Sequence, residues 1–207
     1  MPNNITAREI LGKVVQLCEQ YSKVYRGNVS PERYKRALEE KIIKDGEFDD
    51  ELVRESLVEH VGYLPIIAST IYPYLEHKDS IDLGKVLIML SIHDIGETVT
   101  GDIITYHKNA ENEKSESQIA KELLHPSLMA VYEEYERKET LESKFAHSVD
   151  KMEPLIQNSQ DLEMNYHRWK HHNFGLSDIV KKKRDCMRWD KVMLDIFDCW
   201  VKSAENS

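Results

Sequence analysis

The sequence predicts an all-α protein. Three observations carry that reading: apolar residues recur at helical spacing along nearly the whole chain, polar caps stand where those runs begin, and strand patterns are scarce. "TAREILGKVVQLCEQYSKVY" opens with Thr6 and places Glu9 three residues later, the pairing in which hydroxyl and carboxylate satisfy each other's backbone N–H groups. "SPERYKRALEEKIIKDG" offers Ser30 as cap, Pro31 at the first helical position, where its missing N–H costs nothing, and Gly46 as the stop. "DDELVRESLVEHVGYLPIIASTIYPYLEH" reads as one long helix, kinked at Pro65 and broken at Pro73. "SIDLGKVLIMLSIHDIG" follows, capped by Ser80 or Asp82. After the loop "ETVTGDIITYHK" come the helical runs "ENEKSESQIAKELL", "PSLMAVYEEYERK" and "TLESKFAHSVDKMEPLIQNS". A last helix is expected from about Ser177 through "DIVKKKRDCMRWDKVMLDIFDCWV". The best strand pattern, "VTGDIIT", is short and interrupted by glycine.

A chain of 207 residues with 31% charged and 41% hydrophobic side chains has the profile of one globular domain, residues 1–207. Its formal charge of −9 argues against a nucleic-acid surface, which needs a basic stripe to displace counterions. The run "KKKR" at 181–184 reads as a solvated helix face on this acidic background. The net negative charge still leaves room for a small phosphorylated substrate, because a bound divalent cation can invert the local field. Cys18, Cys186 and Cys199 are odd in number and form no CxxC, so a reducing cytoplasm is expected rather than a disulfide framework. The opening "MPNNITAREI" lacks the pattern of a signal peptide, and no segment approaches ~20 consecutive apolar residues, so neither secretion nor a membrane partner is expected.

The chemistry concentrates in "SIHDIGETVTGDI", residues 91–103, where His93, Asp94, Glu97 and Asp102 follow the almost wholly apolar "GKVLIMLSI". A buried Asp94 needs a partner, the more so at a helix C-terminus, where the backbone already presents partial negative charge. That partner is a Lys, an Arg, a protonated His or a metal ion. His60 in "ESLVEH" and Asp150 in "KFAHSVDKMEPLI" are also ionisable residues on helix faces that should be buried. Singly, each has an ordinary structural explanation. Together, His60, His93, Asp94 and Asp150 supply two imidazoles and two carboxylates from three helices, a nitrogen and oxygen set that suits Mn, Fe, Co, Ni or Zn. Lys and Arg are scarce beside these positions in the sequence, which weakens the ion-pair alternative. Glu97 follows His93 by four residues and Asp94 by three, so all three can project over one side of a helix or its last turn.

The order His, then His-Asp-x-x-Glu-x-x-x-x-Asp, then a distant "VDKME" resembles the HD-domain metal-dependent phosphohydrolases, within them the group of bacterial 5'-deoxynucleotidase and human HD-domain-containing protein 2. The resemblance covers a motif core of about residues 54–157, with a helical N-terminal extension carrying an insertion at 30–50 and a C-terminal helical segment at 158–207. It implies a single-domain helical bundle of HD type with a central metal site, and one divalent ion, whether Mn, Co, Fe, Ni, Zn or Mg. It makes His60, His93, Asp94 and Asp150 the metal ligands, Glu97 the acidic catalytic residue, and Asp102 a second catalytic carboxylate that orients the attacking water or the sugar. Lys108 matches a lysine of relatives and is a candidate for phosphate contact, whereas His107 beside it is as readily a surface histidine. The implied activity is hydrolysis of nucleoside 5'-monophosphates, above all 2'-deoxyribonucleotides. Other readings are a cyclic nucleotide, guanosine polyphosphate or dinucleoside polyphosphate as substrate, or a non-catalytic, metal-stabilised regulatory protein. A homodimer is implied by the resemblance alone.

One departure concerns the substrate. The deoxynucleotidases place an Arg-Trp pair upstream of the first metal histidine, but "EEKIIKDGEFDDELVR" has no Trp, and spacing selects none of Arg33, Arg36, Lys44 and Arg54 as the replacement. The remaining histidines are weaker signals. His167 and His171 stand at i, i+4, but Arg168 and Lys170 repel a cation there, and the segment reads as polar with Trp169 packed inward. His147 stands one turn before Asp150 and reads more readily as an ordinary half-buried histidine than as a group facing the metal. Glu113 and Glu116, on a strongly charged helix, are expected in solvent.

Overall fold

Thr6 and Glu9 form the reciprocal cap expected of them and start α1, Ala7–Lys23, in a computed structural model that describes residues 6–48, 50–103 and 109–206. The chain then turns extended as β1, Tyr25–Val29, and pairs antiparallel with β2, Arg54–Ser56. Neither strand was expected. The intervening α2, Pro31–Glu39, starts at the Ser30 cap but ends well before Gly46, and its return loop brings the two short strands together. Val29, Tyr34, Ala37, Ile43, Phe48 and Val53 bury one another and reach Met164, so the insertion carries a small core of its own.

α3, Leu57–Ile71, begins later than the sequence suggests. Ser56 caps it and Glu59 returns the bond to the Ser56 N–H at 2.8 Å, so the helix cannot extend upstream through residues already engaged in β2. Pro65 lies inside α3, and the chain breaks at Pro73 in a tight turn, as expected. Asp82 caps α4, Leu83–Ile92. Of the segment that most resembled a strand, Val99 and Thr100 lie instead in a single helical turn, α5, Glu97–Thr100, and Ile104 and Thr105 lie outside the described residues. Then follow α6, Ala110–Leu123, α7, Pro126–Arg137, and α8, Leu141–Asn158. α9 is Leu162–His171. The expected last helix is two, α10, Leu176–Lys183, and α11, Lys191–Glu205, because Asp190 caps a fresh start after a short turn.

The centre of the bundle is α3, α4 and α8, which pack against one another. Leu64 and Ala68, Val86, Met89 and Leu90, and Phe145, Val149 and Met152 fill the space between them. Each large apolar side chain buried there contributes roughly 1.5–3 kcal/mol, which offsets the cost of holding ionisable groups in the same interior. Among the described residues no helix is long and apolar enough to cross a membrane.

Candidate metal centre

His60 and Asp150 stand on the two helices that flank α4, and His93 and Asp94 stand where α4 ends. The packing of α3, α4 and α8 therefore brings all four side chains to one point, with one nitrogen or oxygen from each lying within 4.8 Å of the others. His60 Nε2 is 3.5 Å from Asp94 Oδ2 and 3.4 Å from Asp150 Oδ1. His93 Nε2 is 3.1 Å from Asp94 Oδ2 and 3.6 Å from Asp150 Oδ1.

The far side of each imidazole fixes its orientation. His93 Nδ1 donates to the Leu90 carbonyl at 3.1 Å, which can only accept, and His60 Nδ1 donates to Glu153 Oε2 at 2.9 Å. Both Nε2 atoms are buried and have no hydrogen-bond partner. A neutral imidazole whose Nδ1 carries the proton presents its Nε2 lone pair, and that is how a histidine ligand is set up by its second hydrogen bond. The donor set and these orphaned atoms fit a divalent ion of the first transition row.

The electrostatics point the same way. Burial and Arg26 both oppose a charge on His60, yet the carboxylates of Asp150 and Glu153 outweigh them and push it up to about 9. Burial opposes a charge on His93 too, and Asp94 and Asp150 push it up to about 10. Burial disfavours the Asp94 carboxylate, but His93 and Arg26 hold it below its ordinary value, and Lys151 with the two histidines does so for Asp150. The cage demands positive charge, supplied either by protons on its imidazoles or by a cation bound between them.

Basic residues stand closer to the cage than the sequence reading allowed, one of them, Lys151, being the residue directly after Asp150. Arg26, from β1, places Nη1 3.0 Å from Asp94 Oδ2 and 3.9 Å from Glu97 Oε2. Lys151 places Nζ 2.7 Å from Asp150 Oδ2. Arg26 stands at the cage although the sequence reading did not single it out: Arg33 pairs instead with Glu59, and Arg54 is spent on the Tyr25 and Arg26 carbonyls. The residue after Arg26 is Gly27, with no aromatic ring. Only the strand pairing of β1 with β2, unseen in the sequence, carries Arg26 to the cage.

His60 is fully buried, while the other three of the four, His93, Asp94 and Asp150, line a cavity of about 330 Å³. Glu97, at the start of α5, and Asp102, just beyond it, both line it. Glu97 is buried, and Asp102 accepts a hydrogen bond from the Gly27 N–H at 2.7 Å. Behind His60, Glu153 and Glu55 lie buried together. Burial and the Glu153 charge push Glu55 up to about 8, while the hydrogen bond from His60 helps hold Glu153 down.

Other expectations fare unevenly. His147 lines the cavity, its ring 6.2 Å from that of Tyr135, and burial with the Lys151 charge brings it down to about 3, so it stays neutral there. Glu113 is exposed, as expected, at the cavity's edge, whereas Glu116 lines the cavity and is half-buried. Trp169 is buried as expected, and neither His167 nor His171 joins a metal-competent cluster among the described residues. In the basic run, Lys181 and Lys182 are exposed but Lys183 is buried, which corrects the reading of a uniformly solvated face. His107 and Lys108 lie outside the described residues.

Residues 45–192 match the family model for the HD domain, and the chain belongs to that family. Over 120 residues it is 27% identical to the 5'-deoxynucleotidase HDDC2 of Homo sapiens and 26% to that of Mus musculus. These alignments cover 53% of this chain and 56% and 58% of the relatives, so the chain spans about half the length of the curated relatives it matches. Among solved structures, it is similar to a predicted metal-dependent phosphohydrolase from Magnetospirillum magnetotacticum, with a TM-score of 0.71 and 22% identity over 95% of this chain and 94% of that one. A protein from Pyrococcus horikoshii gives 0.61 and 20% over 93% and 98%. These structural likenesses show the HD-type helical fold.

Proposed function

We propose that this protein is a metal-dependent phosphohydrolase that cleaves nucleoside 5'-monophosphates, preferring 2'-deoxyribonucleotides, to nucleoside and phosphate. The observation that carries the proposal is the pair of buried Nε2 atoms without a hydrogen-bond partner set against Asp94 and Asp150, with His93 and both carboxylates lining a cavity that Glu97, Asp102 and Arg26 also line. The similarity to enzymes named 5'-deoxynucleotidase supports the choice of substrate.

In this reading His60, His93, Asp94 and Asp150 hold one divalent ion. When bound, such an ion would supply Lewis acidity and make water a nucleophile near neutral pH. Phosphoryl transfer asks the rest of the protein mainly for position and charge neutralisation. The Arg26 guanidinium stands 3.0 Å from Asp94 and supplies a fork of donors for phosphate oxygens. Glu97 takes a proton from the attacking water or gives one to the departing ester oxygen. Asp102, anchored by the Gly27 N–H, presents its carboxylate to the sugar or to that water.

Purified protein assayed against deoxyribonucleotides, ribonucleotides, cyclic nucleotides and pyrophosphate-linked nucleotides, with Mn, Co, Mg or no added metal, tests the assignment. Faster release of phosphate from 2'-deoxy monophosphates is expected, with little dependence on the base. Equal rates for both sugars, or cleavage of pyrophosphate links alone, transfers the site to another nucleotide. Glu97→Gln separates catalysis from metal binding: kcat should fall by roughly 10²-fold or more, within the range for losing a general acid or base, with metal content unchanged. A fully active, metal-loaded Glu97→Gln removes Glu97 from the mechanism.

A further inference from the structure

The basic run that looked solvated turns one member inward. On α10, Ile179 and Lys183 stand four residues apart on one face, and both are buried, Lys183 being only 7% exposed. A buried ammonium is costly without a partner of opposite charge. Lys183 Nζ donates to the Lys151 carbonyl at 3.1 Å, and no carboxylate among the described residues lies within ion-pair distance of it. An ammonium has three donors and the carbonyl takes one.

Its position tells what the other two face. Lys183 lines the cavity that contains His93, Asp94, Glu97 and Asp150, and it also lines a smaller adjoining cavity of about 70 Å³. Arg26 and Asp102 are in both walls as well. Lys151, whose ammonium holds Asp150 Oδ2, borders the larger cavity with it. The two ammonium groups repel, and burial together with the Lys151 charge brings Lys183 down to about 7. Asp150 and Glu153 favour the ammonium from farther off, and an anion seated between the two lysines would favour it further; a tetrahedral phosphate accepts several hydrogen bonds from different directions with charge-assisted strength.

We infer that Lys183, with Lys151, forms a phosphate-binding subsite on the Asp150 side of the metal centre, complementing Arg26 on the Asp94 side. It rests on the phosphohydrolase reading and assigns a specific contact to it: the phosphoryl group lies against α10 as well as β1. Lys183 thereby makes the C-terminal segment part of the site, and the reacting phosphate is held from outside the motif core.

Titration calorimetry of inorganic phosphate into the Mn-loaded protein tests this without any substrate turnover. Lys183→Met, which keeps length and buries well, should weaken phosphate binding by roughly tenfold or more, the size of one charge-assisted hydrogen bond, at unchanged Mn content. Lys183→Arg should retain most of the affinity. An unchanged dissociation constant in Lys183→Met, or no phosphate binding by the parent, overturns the inference. Should Lys183→Met fail to fold, the side-chain nitrogen resonance of Lys183 in the parent should move on phosphate addition, and a resonance that stays fixed at saturation overturns it equally. Phosphate binding that depends on Lys183 in a protein that cleaves no nucleotide would sink the proposed function and leave the subsite standing.

Discussion

Burial and the neighbouring Lys151 charge lower Lys183 from 10.5 to about 7, and that shift has a signature in stability. Between those values the unfolded chain holds a proton that the folded chain does not, so folding stability rises with pH across that window. Below about 7 both states carry the proton and the slope from this group vanishes. In phosphate-free buffer the melting temperature of the parent should therefore rise relative to Lys183→Met between about pH 7 and pH 10. Parallel melting curves over that range would show that Lys183 keeps an ordinary ammonium in the folded protein. Arg26 behaves in the opposite sense: burial opposes its charge, but Asp102, Asp94, Glu97 and Glu55 together raise it well above its usual value, so it stays charged at every accessible pH. One basic residue is therefore a fixed charge of the site and the other an adjustable one.

At the scale of elements, the turn between α4 and α5 is a tight joint. A Cβ added at Gly96 would lie 2.4 Å from the Glu116 carbonyl oxygen, so α6 packs against bare backbone two residues after Asp94. Gly96→Ala forces α6 or the turn to move, and overpacking of this kind costs about 1–3 kcal/mol. The expected result is a lower denaturation midpoint together with weaker metal retention, because the moved turn carries Asp94 and Glu97. A midpoint equal to the parent's would mean that α6 shifts freely. β1 and β2 do comparable work on the other side of the site: short as they are, they place Arg26 against Asp94 and leave the Gly27 N–H to hold Asp102.

At the scale of the whole molecule, three helices converge on a cluster of two carboxylates and two imidazoles, and their apolar packing has to tolerate that cluster. If the cluster holds an ion, binding free energy for the ion is also folding free energy. Chelation should lower the melting temperature and re-addition of Mn or Co should restore it. A free ion at a thousandfold excess over its dissociation constant stabilises by about 4 kcal/mol. Asp94→Asn should bind little metal and melt at the same temperature with or without chelator. Equal melting of the chelated and loaded parent, with metal content measured on the same sample, would place the ion elsewhere.

The helical architecture and the identity of the residues at the cage were legible in the sequence, because both depend on local signals. Periodicity, caps such as Thr6–Glu9 and Asp82, and the fixed spacing within "HDIGETVTGDI" act over a few residues and survive in one dimension. Ionisable groups on apolar faces, His60 and Asp150, announced themselves by being out of place. What only the tertiary structure decided is which distant cations join Lys151, the residue after Asp150, around the cage. Arg26 arrives through a strand pairing whose partners are separated by α2 and its loop, and nothing in "YRGNV" by itself demands an extended conformation. Lys183 turns inward because α10 docks with Ile179 beneath it, whereas Lys181 and Lys182 in the same run stay in solvent. Charge in a sequence can be counted, but its partners are chosen by long-range packing, and that packing settles which lysine or arginine is desolvated beside a carboxylate.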